Sequence, residues 1–169
     1  MGNPHILAIP YPAQGHVIPL MELSQCLAKQ GFKITFVNTE YNHRRVMTAK
    51  LAEKDYLDDE RISLVSIPDG LELWEDRKEI GKFTESISRV MPGKLEELID
   101  RIDANSSEDE KITCVIADVC VGFTLDLAET KKIKRAAFWP ASVAILVVLQ
   151  SFQKLIDGGV IGNDGEILN

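Results

Sequence analysis

The stretch "HILAIPYPAQGHVIPLMELSQCLAKQGFKITFVNT", residues 5–39, decides the fold because its hydrophobic period changes twice. The continuous apolar run at 5–9 is typical of a buried strand. Apolar side chains then recur at helical spacing over 17–30, and Gly31 supplies a usual helix stop. The β-branched and aromatic run at 33–39 predicts a second strand. This order predicts two parallel strands that are joined by a crossover helix.

The remaining sequence repeats the same alternation of strand and helix patterns. It predicts strands at 62–67, 112–118 and 135–138, and helices at 41–53, 82–103, 121–130 and 141–159, the second of them broken at Pro92-Gly93. Right-handed crossovers then give a doubly wound, Rossmann-like parallel α/β sheet. In the order 3-2-1-4-5, the strand order reverses between strands 1 and 4, where such sheets bind ligands.

Composition excludes several classes of function. The chain has 169 residues, about one domain, and its net charge of −7 disfavours nucleic acid and anionic membrane surfaces as partners. The most apolar run, 136–149, contains Pro140 and is shorter than the roughly 20 residues of a membrane-spanning helix. The N-terminus lacks a signal-like segment, so a cytoplasmic protein is expected. The three cysteines lack CxxC spacing and lie in apolar patterns, which predicts reduced thiols in the core.

His16 and Asp118 are the candidate chemical residues. We expect His16 in the loop after strand 1 and Asp118 at the end of strand 4, so both flank the reversal point. An imidazole there can accept a proton from a hydroxyl group, and a carboxylate on its other nitrogen fixes the tautomer. Taken singly, His16 is better explained as a surface or capping residue and Asp118 as a helix N-cap. Taken together at the reversal point, the two residues fit the structural and the functional explanation equally well.

Other chemistries lack their motifs. The sequence contains neither GxSxG, GxGxxG nor a Walker A lysine, so neither an enzyme nucleophile nor Rossmann-type pyrophosphate binding is predicted. We predict no metal site, because His5, His16 and His43 lack ligand spacing.

Several motifs together resemble the plant family-1 UDP-dependent glycosyltransferases. They are "PYPAQGH", "FKITFVNT", "SIPDGLE", "CVIADVCVGFTLDLAE" and "RAAFWPASVA…KLIDGGVI", which follow the family's order over essentially the whole chain. The chain looks most similar to the branch that acts on flavonoids and other plant phenolics. The resemblance implies the GT-B fold, in which an N-terminal domain binds the acceptor and a C-terminal domain binds the UDP-sugar.

The resemblance implies roles for particular residues. His16 would be the general base and Asp118 its partner in an inverting transfer, with a UDP-sugar, UDP-glucose by preference, as co-substrate and no cofactor. Residues expected to contact substrate are Gln14, Gly15, Trp74, Trp139 and Ser142. Trp74 lies in the loop 68–81, which is expected to wall the acceptor pocket, although loop packing explains it equally well.

The sequence also departs from the family. Residues 1–169 would be an incomplete, truncated N-terminal acceptor-binding domain, because nothing matches the donor-binding signature of the C-terminal domain. Pro140 stands where many relatives have a hydroxyl residue, and Lys132 stands at a turn that usually has glycine. The apolar helix at 141–157 would then lack cover and would favour self-association.

Three interpretations remain open. The first is the acceptor-binding, base-bearing portion of a glycosyltransferase that takes a small-molecule acceptor. The second is a non-catalytic product or pseudoenzyme that at most binds small phenolics. The third is a nucleotide-binding regulatory domain, which the absent glycine fingerprint disfavours.

Overall fold

The computed structural model describes residues 4–44, 60–72 and 74–167. The strands are β1 His5–Ile9, β2 Lys33–Thr39, β3 Ile62–Ile67, β4 Ile112–Asp118 and β5 Lys134–Phe138. The helices are α1 Gln14–Lys29, α2 Ile80–Ala104, α3 Phe123–Thr130 and α4 Val143–Asp157. The chain divides into two compact units, Met1–Phe138 with the sheet and α1 to α3, and Trp139–Asn169 with α4.

The five strands form one parallel sheet in the order β3-β2-β1-β4-β5. This confirms the predicted α/β class and the predicted strand order. Ile9 lies opposite Ala117 in the register of β1 and β4. The segments that follow these two central strands therefore leave the sheet side by side, at the point where the strand order reverses.

Alternate side chains of β1 pack into two different hydrophobic clusters. Leu7 and Ile9 belong to the cluster that contains the buried face of α2, whereas Ile6 and Ala8 belong to the cluster that contains α1 residues. All four side chains are at most 4% exposed. Because neighbouring residues of a strand point to opposite faces, helices cover this strand on both sides.

Helix α1 begins earlier than predicted, and this changes the position of His16. Ala13 is extended, with φ −117° and ψ 148°, and its carbonyl oxygen accepts the N–H groups of His16 and Val17, both at 2.9 Å. The prediction that His16 lies in a loop was therefore wrong, since it lies in the first turn of α1. The apolar periodicity begins only after this turn, because the turn itself carries small and polar residues.

The predicted break at Pro92-Gly93 was also wrong, because α2 runs without interruption from Ile80 to Ala104. Its buried residues lie on both sides of Pro92 at helical spacing: Phe83, Ser86, Ile87, Met91, Leu95, Leu98 and Ile99. A proline inside a helix costs about 3 kcal/mol, whereas each buried large apolar side chain contributes about 1.5–3 kcal/mol. Packing of this face against the sheet therefore outweighs the local penalty.

Smaller differences concern helix ends and thiols. Residues 119–121 form a short 3₁₀ helix before α3, and α4 spans 143–157 rather than 141–159. The predicted helix 41–53 is helical over 41–44, and the rest lies outside the described residues. All three cysteines are free, but Cys26 and Cys120 are exposed and only Cys114 is partly buried. The expectation of core thiols was wrong for Cys26 and Cys120.

Lys132 has φ 58°, the left-handed conformation that favours glycine, in the turn before β5 where the family usually has that residue. In the second unit, none of the side chains of α4 is buried. Among the described residues, no helix is both long enough and apolar enough to cross a membrane.

Candidate active site

His16 and Asp118 are in direct contact. Nδ1 of His16 lies 2.7 Å from Oδ2 of Asp118, and the His16 side chain is 28% exposed whereas that of Asp118 is fully buried. The short distance is typical of a hydrogen bond in which a carboxylate accepts from an imidazole N–H. With Nδ1 donating to the carboxylate, Nε2 is left as the ring nitrogen that can accept a proton.

Asp118 uses its two oxygens for different purposes. Oδ1 accepts the backbone N–H of Cys120 at 2.8 Å and so caps the 3₁₀ helix at 119–121. Oδ2 faces His16. The helix-cap explanation of Asp118 is therefore confirmed, and the cap also fixes the carboxylate in the orientation in which it contacts the imidazole.

Tyr11 packs against the imidazole, and the sequence patterns did not single it out. Its ring centroid lies 5.2 Å from that of His16 and 6.1 Å from that of Phe83 on α2. Its hydroxyl group is 3.1 Å from Oγ1 of Thr84, also on α2. Tyr11 thereby links His16 to the helix that covers this face of the sheet.

The turn that carries His16 leaves one side open. Gln14 and Gly15 are exposed, and a Cβ atom placed on Gly15 would meet no atom within 4 Å. Asn42 steadies the start of the turn, since its Nδ2 donates to the carbonyl oxygen of Pro12 at 3.0 Å. Free space beside His16 is what a group that must reach a bound hydroxyl requires.

The loop between β3 and α2 is organised by an ion pair, Asp69 with Arg77. Nε and Nη2 of Arg77 donate to Oδ2 and Oδ1 of Asp69 at 2.8 and 3.0 Å, and the two side chains are 10% and 4% exposed. This pairing raises the pKa of Arg77 above its ordinary value. The remaining donors reach backbone carbonyl oxygens at 3.0–3.1 Å, those of Leu71, Glu72 and Glu75.

Arg77 therefore holds the loop rather than a ligand, because its donors are used within the protein. Its guanidinium also lies 4.3 Å from the centroid of the Tyr41 ring. Gly70 has φ 79°, and an added Cβ would come within 2.6 Å of Oγ of Ser86. The loop thus has a fixed shape that depends on a glycine and on one arginine.

Trp74 lies in this fixed loop and is 81% exposed. The alternative that loop packing explains Trp74 does not fit so large an exposed fraction. Its neighbour Leu73 lies outside the described residues. A pocket of about 220 Å³ is lined by residues that include Tyr41, Asp69 and Arg77, and Trp74 does not line it.

The last two predicted site residues, Trp139 and Ser142, belong to the second unit. Nε1 of Trp139 donates to the carbonyl oxygen of Ser142 at 2.9 Å. Oγ of Ser142 accepts the N–H of Ala144 at 3.2 Å and caps α4. Ser142 therefore has a local role as an N-cap residue.

Curated plant enzymes are similar in sequence to nearly the whole chain. UDP-glycosyltransferase 83A1 of Arabidopsis thaliana is 49% identical over 170 residues, which cover 99% of this chain and 36% of the relative. (R)-Mandelonitrile beta-glucosyltransferase of Prunus dulcis is 36% identical over 94% of this chain and 33% of its own length. The chain thus spans about a third of the length of these relatives. No family model matches it.

Solved plant structures share the fold. UGT89C1 of Arabidopsis thaliana complexed with UDP superposes with a TM-score of 0.70, at 17% identity, over 95% of this chain and 44% of the other. Os79 T291V from O. sativa in complex with UDP superposes with a TM-score of 0.69, at 19% identity, over 93% of this chain and 37% of the other. These likenesses show a common fold, the Rossmann-like arrangement of a GT-B protein.

Proposed function

The chain belongs to the plant UDP-glycosyltransferases, of which it matches a partial N-terminal region, and we propose that it is the acceptor-binding, base-carrying part of an inverting UDP-glycosyltransferase. The observation that carries this proposal is the 2.7 Å contact between Nδ1 of His16 and Oδ2 of Asp118 beside an open turn. A buried carboxylate that orients a partly exposed imidazole is the arrangement of a general base.

His16 acts on the acceptor. Nε2 takes the proton of an acceptor hydroxyl group as its oxygen attacks the anomeric carbon of the sugar, and UDP leaves from the opposite side. Asp118 stabilises the imidazolium that forms, because the new positive charge lies against its carboxylate. Attack from the side opposite UDP inverts the anomeric centre, which accords with the word "beta" in the name of the Prunus dulcis relative.

The acceptor is a small plant metabolite with a hydroxyl group, and a flavonoid or another phenolic is our preferred class. The exposed ring of Trp74 can stack on a flat ring, and the exposed Gln14 and Gly15 beside His16 are further candidate contacts. Names of relatives add two further acceptors to test, mandelonitrile and 7-deoxyloganetin. Trp139 and Ser142 are kept as substrate-contacting candidates in the second unit.

The donor is a UDP-sugar, and UDP-glucose is our preference. Orientation of the sugar and stabilisation of the leaving UDP supply much of the rate enhancement in such a reaction. In the family these tasks belong mainly to a domain beyond the region that this chain matches. We therefore expect the 169 residues alone to transfer no sugar. Separately, we propose that the whole enzyme is cytoplasmic.

The test is the reaction of the complete gene product. It is incubated with UDP-glucose and hydroxyl acceptors that include a flavonol, mandelonitrile and 7-deoxyloganetin, and the product anomer is read by NMR. We expect a β-glucoside and UDP. An α-glucoside would contradict the inverting mechanism. If no acceptor is glycosylated but a phenolic binds, the non-catalytic interpretation stands instead.

A further inference from the structure

Three side chains with metal-binding atoms meet at the candidate base. One ligand atom each from His16, Asp118 and Cys120 lies within 4.8 Å of the other two. Among the residues that the structure describes, this is the one group of three such side chains. The sequence prediction of no metal site weighed only the spacing of the three histidines. The strand order instead brings an aspartate at the end of β4, and a cysteine just after it, to a histidine that follows β1.

We propose that this cluster is a binding site for Zn²⁺ or a similar borderline-soft divalent cation. A thiolate, an imidazole and a carboxylate are the ligand types that Zn²⁺ takes, whereas Mg²⁺ and Ca²⁺ prefer sets made only of oxygen. The charges of one thiolate and one carboxylate balance those of the cation. His16 is 28% exposed and Cys120 is exposed, so a fourth position is open to water.

The geometry needs only small movements. Zn–N and Zn–O bonds of about 2.0–2.2 Å and Zn–S bonds of about 2.3 Å place tetrahedral ligand atoms roughly 3.3–3.6 Å apart. The His16–Asp118 contact must therefore open from 2.7 Å, and the sulfur atom must approach from within 4.8 Å. Asp118 keeps its orientation during this change because the N–H of Cys120 holds its other oxygen.

The proton balance is simple. The S–H proton of Cys120 goes to solvent when the sulfur binds the cation. The imidazole stays neutral, and its proton shifts from Nδ1, which becomes the ligand atom, to Nε2. One proton is therefore released for each cation bound.

Cation binding at this site would also affect catalysis by His16, an inference that rests on the proposed function. With a proton on Nε2, His16 cannot accept one from an acceptor hydroxyl group. The bound cation thus switches off the general base.

The experiment is a titration of the 169-residue chain with Co²⁺, the spectroscopic substitute for Zn²⁺. We expect saturation at one equivalent, with visible bands of four-coordinate Co²⁺, a thiolate-to-cobalt charge-transfer band, and displacement by Zn²⁺. Cys120→Ser and Cys120→Ala should abolish the charge-transfer band. His16→Ala should keep that band but weaken binding at least about 10-fold, since loss of even an outer partner costs about 10–100-fold.

Cys26→Ser and Cys114→Ser are the matched controls, and both should bind like the parent chain. Far-UV circular dichroism of the Cys120 variants should match that of the parent, because this residue is exposed. An unchanged charge-transfer band in Cys120→Ser, its loss in Cys26→Ser, or only the weak spectrum of six-coordinate Co²⁺ would overturn the site. The Co²⁺ titration does not depend on sugar transfer, so it tests the metal site even if the proposed function fails.

The complete gene product supplies the second arm. The ratio of transfer rates with and without Zn²⁺ is measured within each variant. We expect Zn²⁺ to reduce transfer by the parent enzyme and to leave the ratio near one in Cys120→Ser. Equal sensitivity of both proteins to Zn²⁺ would overturn the claim that occupancy of this site disables the base.

Discussion

The side chains of His16 and Asp118 meet at 2.7 Å although 102 residues separate them in the chain. The contact follows from the neighbouring positions of β1 and β4, since the residues after two parallel neighbours leave the sheet at the same edge. Each residue is also held by a different helix, since His16 lies in the first turn of α1 and Asp118 caps a 3₁₀ helix. The pair is thus held from both sides before any substrate binds.

Replacement of Arg77 tests whether the loop after β3 depends on it. Arg77→Lys keeps the positive charge but removes the planar fork that bridges Asp69 and three carbonyl oxygens. Because nearly buried acceptors then lose their partners, we expect a loss of about 1–3 kcal/mol in the free energy of unfolding. Urea unfolding measures it.

The matched control for this loop is Arg89→Lys, at an exposed position of α2. It should change the free energy of unfolding by less than about 0.5 kcal/mol. Equal stability of Arg77→Lys and the parent chain would show that the ion pair is not what shapes the loop. In the complete enzyme, Arg77→Lys should raise KM for the acceptor more than it lowers kcat.

Lys132 offers a stabilising change. The N–H groups of Lys132 and Ile133 bond to the carbonyl oxygens of Glu129 and Ala128, the Schellman arrangement that favours glycine at the left-handed position. Lys132→Gly should therefore stabilise the chain by about 1 kcal/mol and raise Tm by about 2–4 °C. Lys132→Ala keeps the strain and should bring no comparable gain. A Tm of Lys132→Gly at or below the parent value would contradict the account.

His5 should make stability depend on pH. Its ring lies between the carbonyl oxygen of Glu110 at 2.7 Å and Oγ1 of Thr35 at 2.8 Å, and it is 1% exposed. Burial lowers the pKa of His5 below 6.5, assisted by Lys33 and opposed by the bond to Glu110 and by the charges of Asp103 and Glu110. The unfolded chain then binds a proton that the folded chain resists, so the free energy of unfolding falls as pH drops below about 6.5.

Urea unfolding between about pH 7.5 and about pH 5.5 measures this dependence. His5→Gln removes the titrating ring and should flatten the slope, even though it lowers stability at neutral pH. Parallel slopes for parent and variant would show that His5 does not carry the effect.

The helix α4 should cause self-association. Val143, Val147 and Val148 are 71%, 55% and 52% exposed, and burial of each such side chain is worth about 1.5–3 kcal/mol. We expect light scattering to show oligomers or aggregates of the 169-residue chain. The double change Val147→Lys and Val148→Lys should reduce them, whereas Gln150→Lys on the same helix should not. A monodisperse monomer that melts above about 55 °C would contradict this expectation.

The sequence was sufficient to predict where the strands begin and end. Short runs rich in apolar and β-branched residues mark the strands, so the predicted bounds of β1 to β4 agree with the structure, and β5 differs by one residue. Helix ends were less predictable, because the first turn of α1 carries no apolar stripe. The continuity of α2 through Pro92 depends on packing against the sheet, which local propensity does not encode.

The site was predictable only in part. His16 and Asp118 could be paired because the strand order follows from the alternation of elements. The roles of Tyr11, Arg77 and Cys120 could not be predicted, since each depends on a contact that is set by side-chain direction in the folded chain. The ring of Tyr11 against His16 and the thiol of Cys120 beside Asp118 are contacts of this kind.

Removal of the acceptor proton by His16 is tested most directly by kcat of His16→Ala in the complete enzyme. The acceptor should be a weakly acidic alcohol, because a strongly acidic phenol forms its anion without help and would conceal the effect. We expect kcat to fall by about 10²–10⁴-fold, the usual contribution of a positioned general base. A kcat near that of the parent enzyme on this alcohol would contradict it.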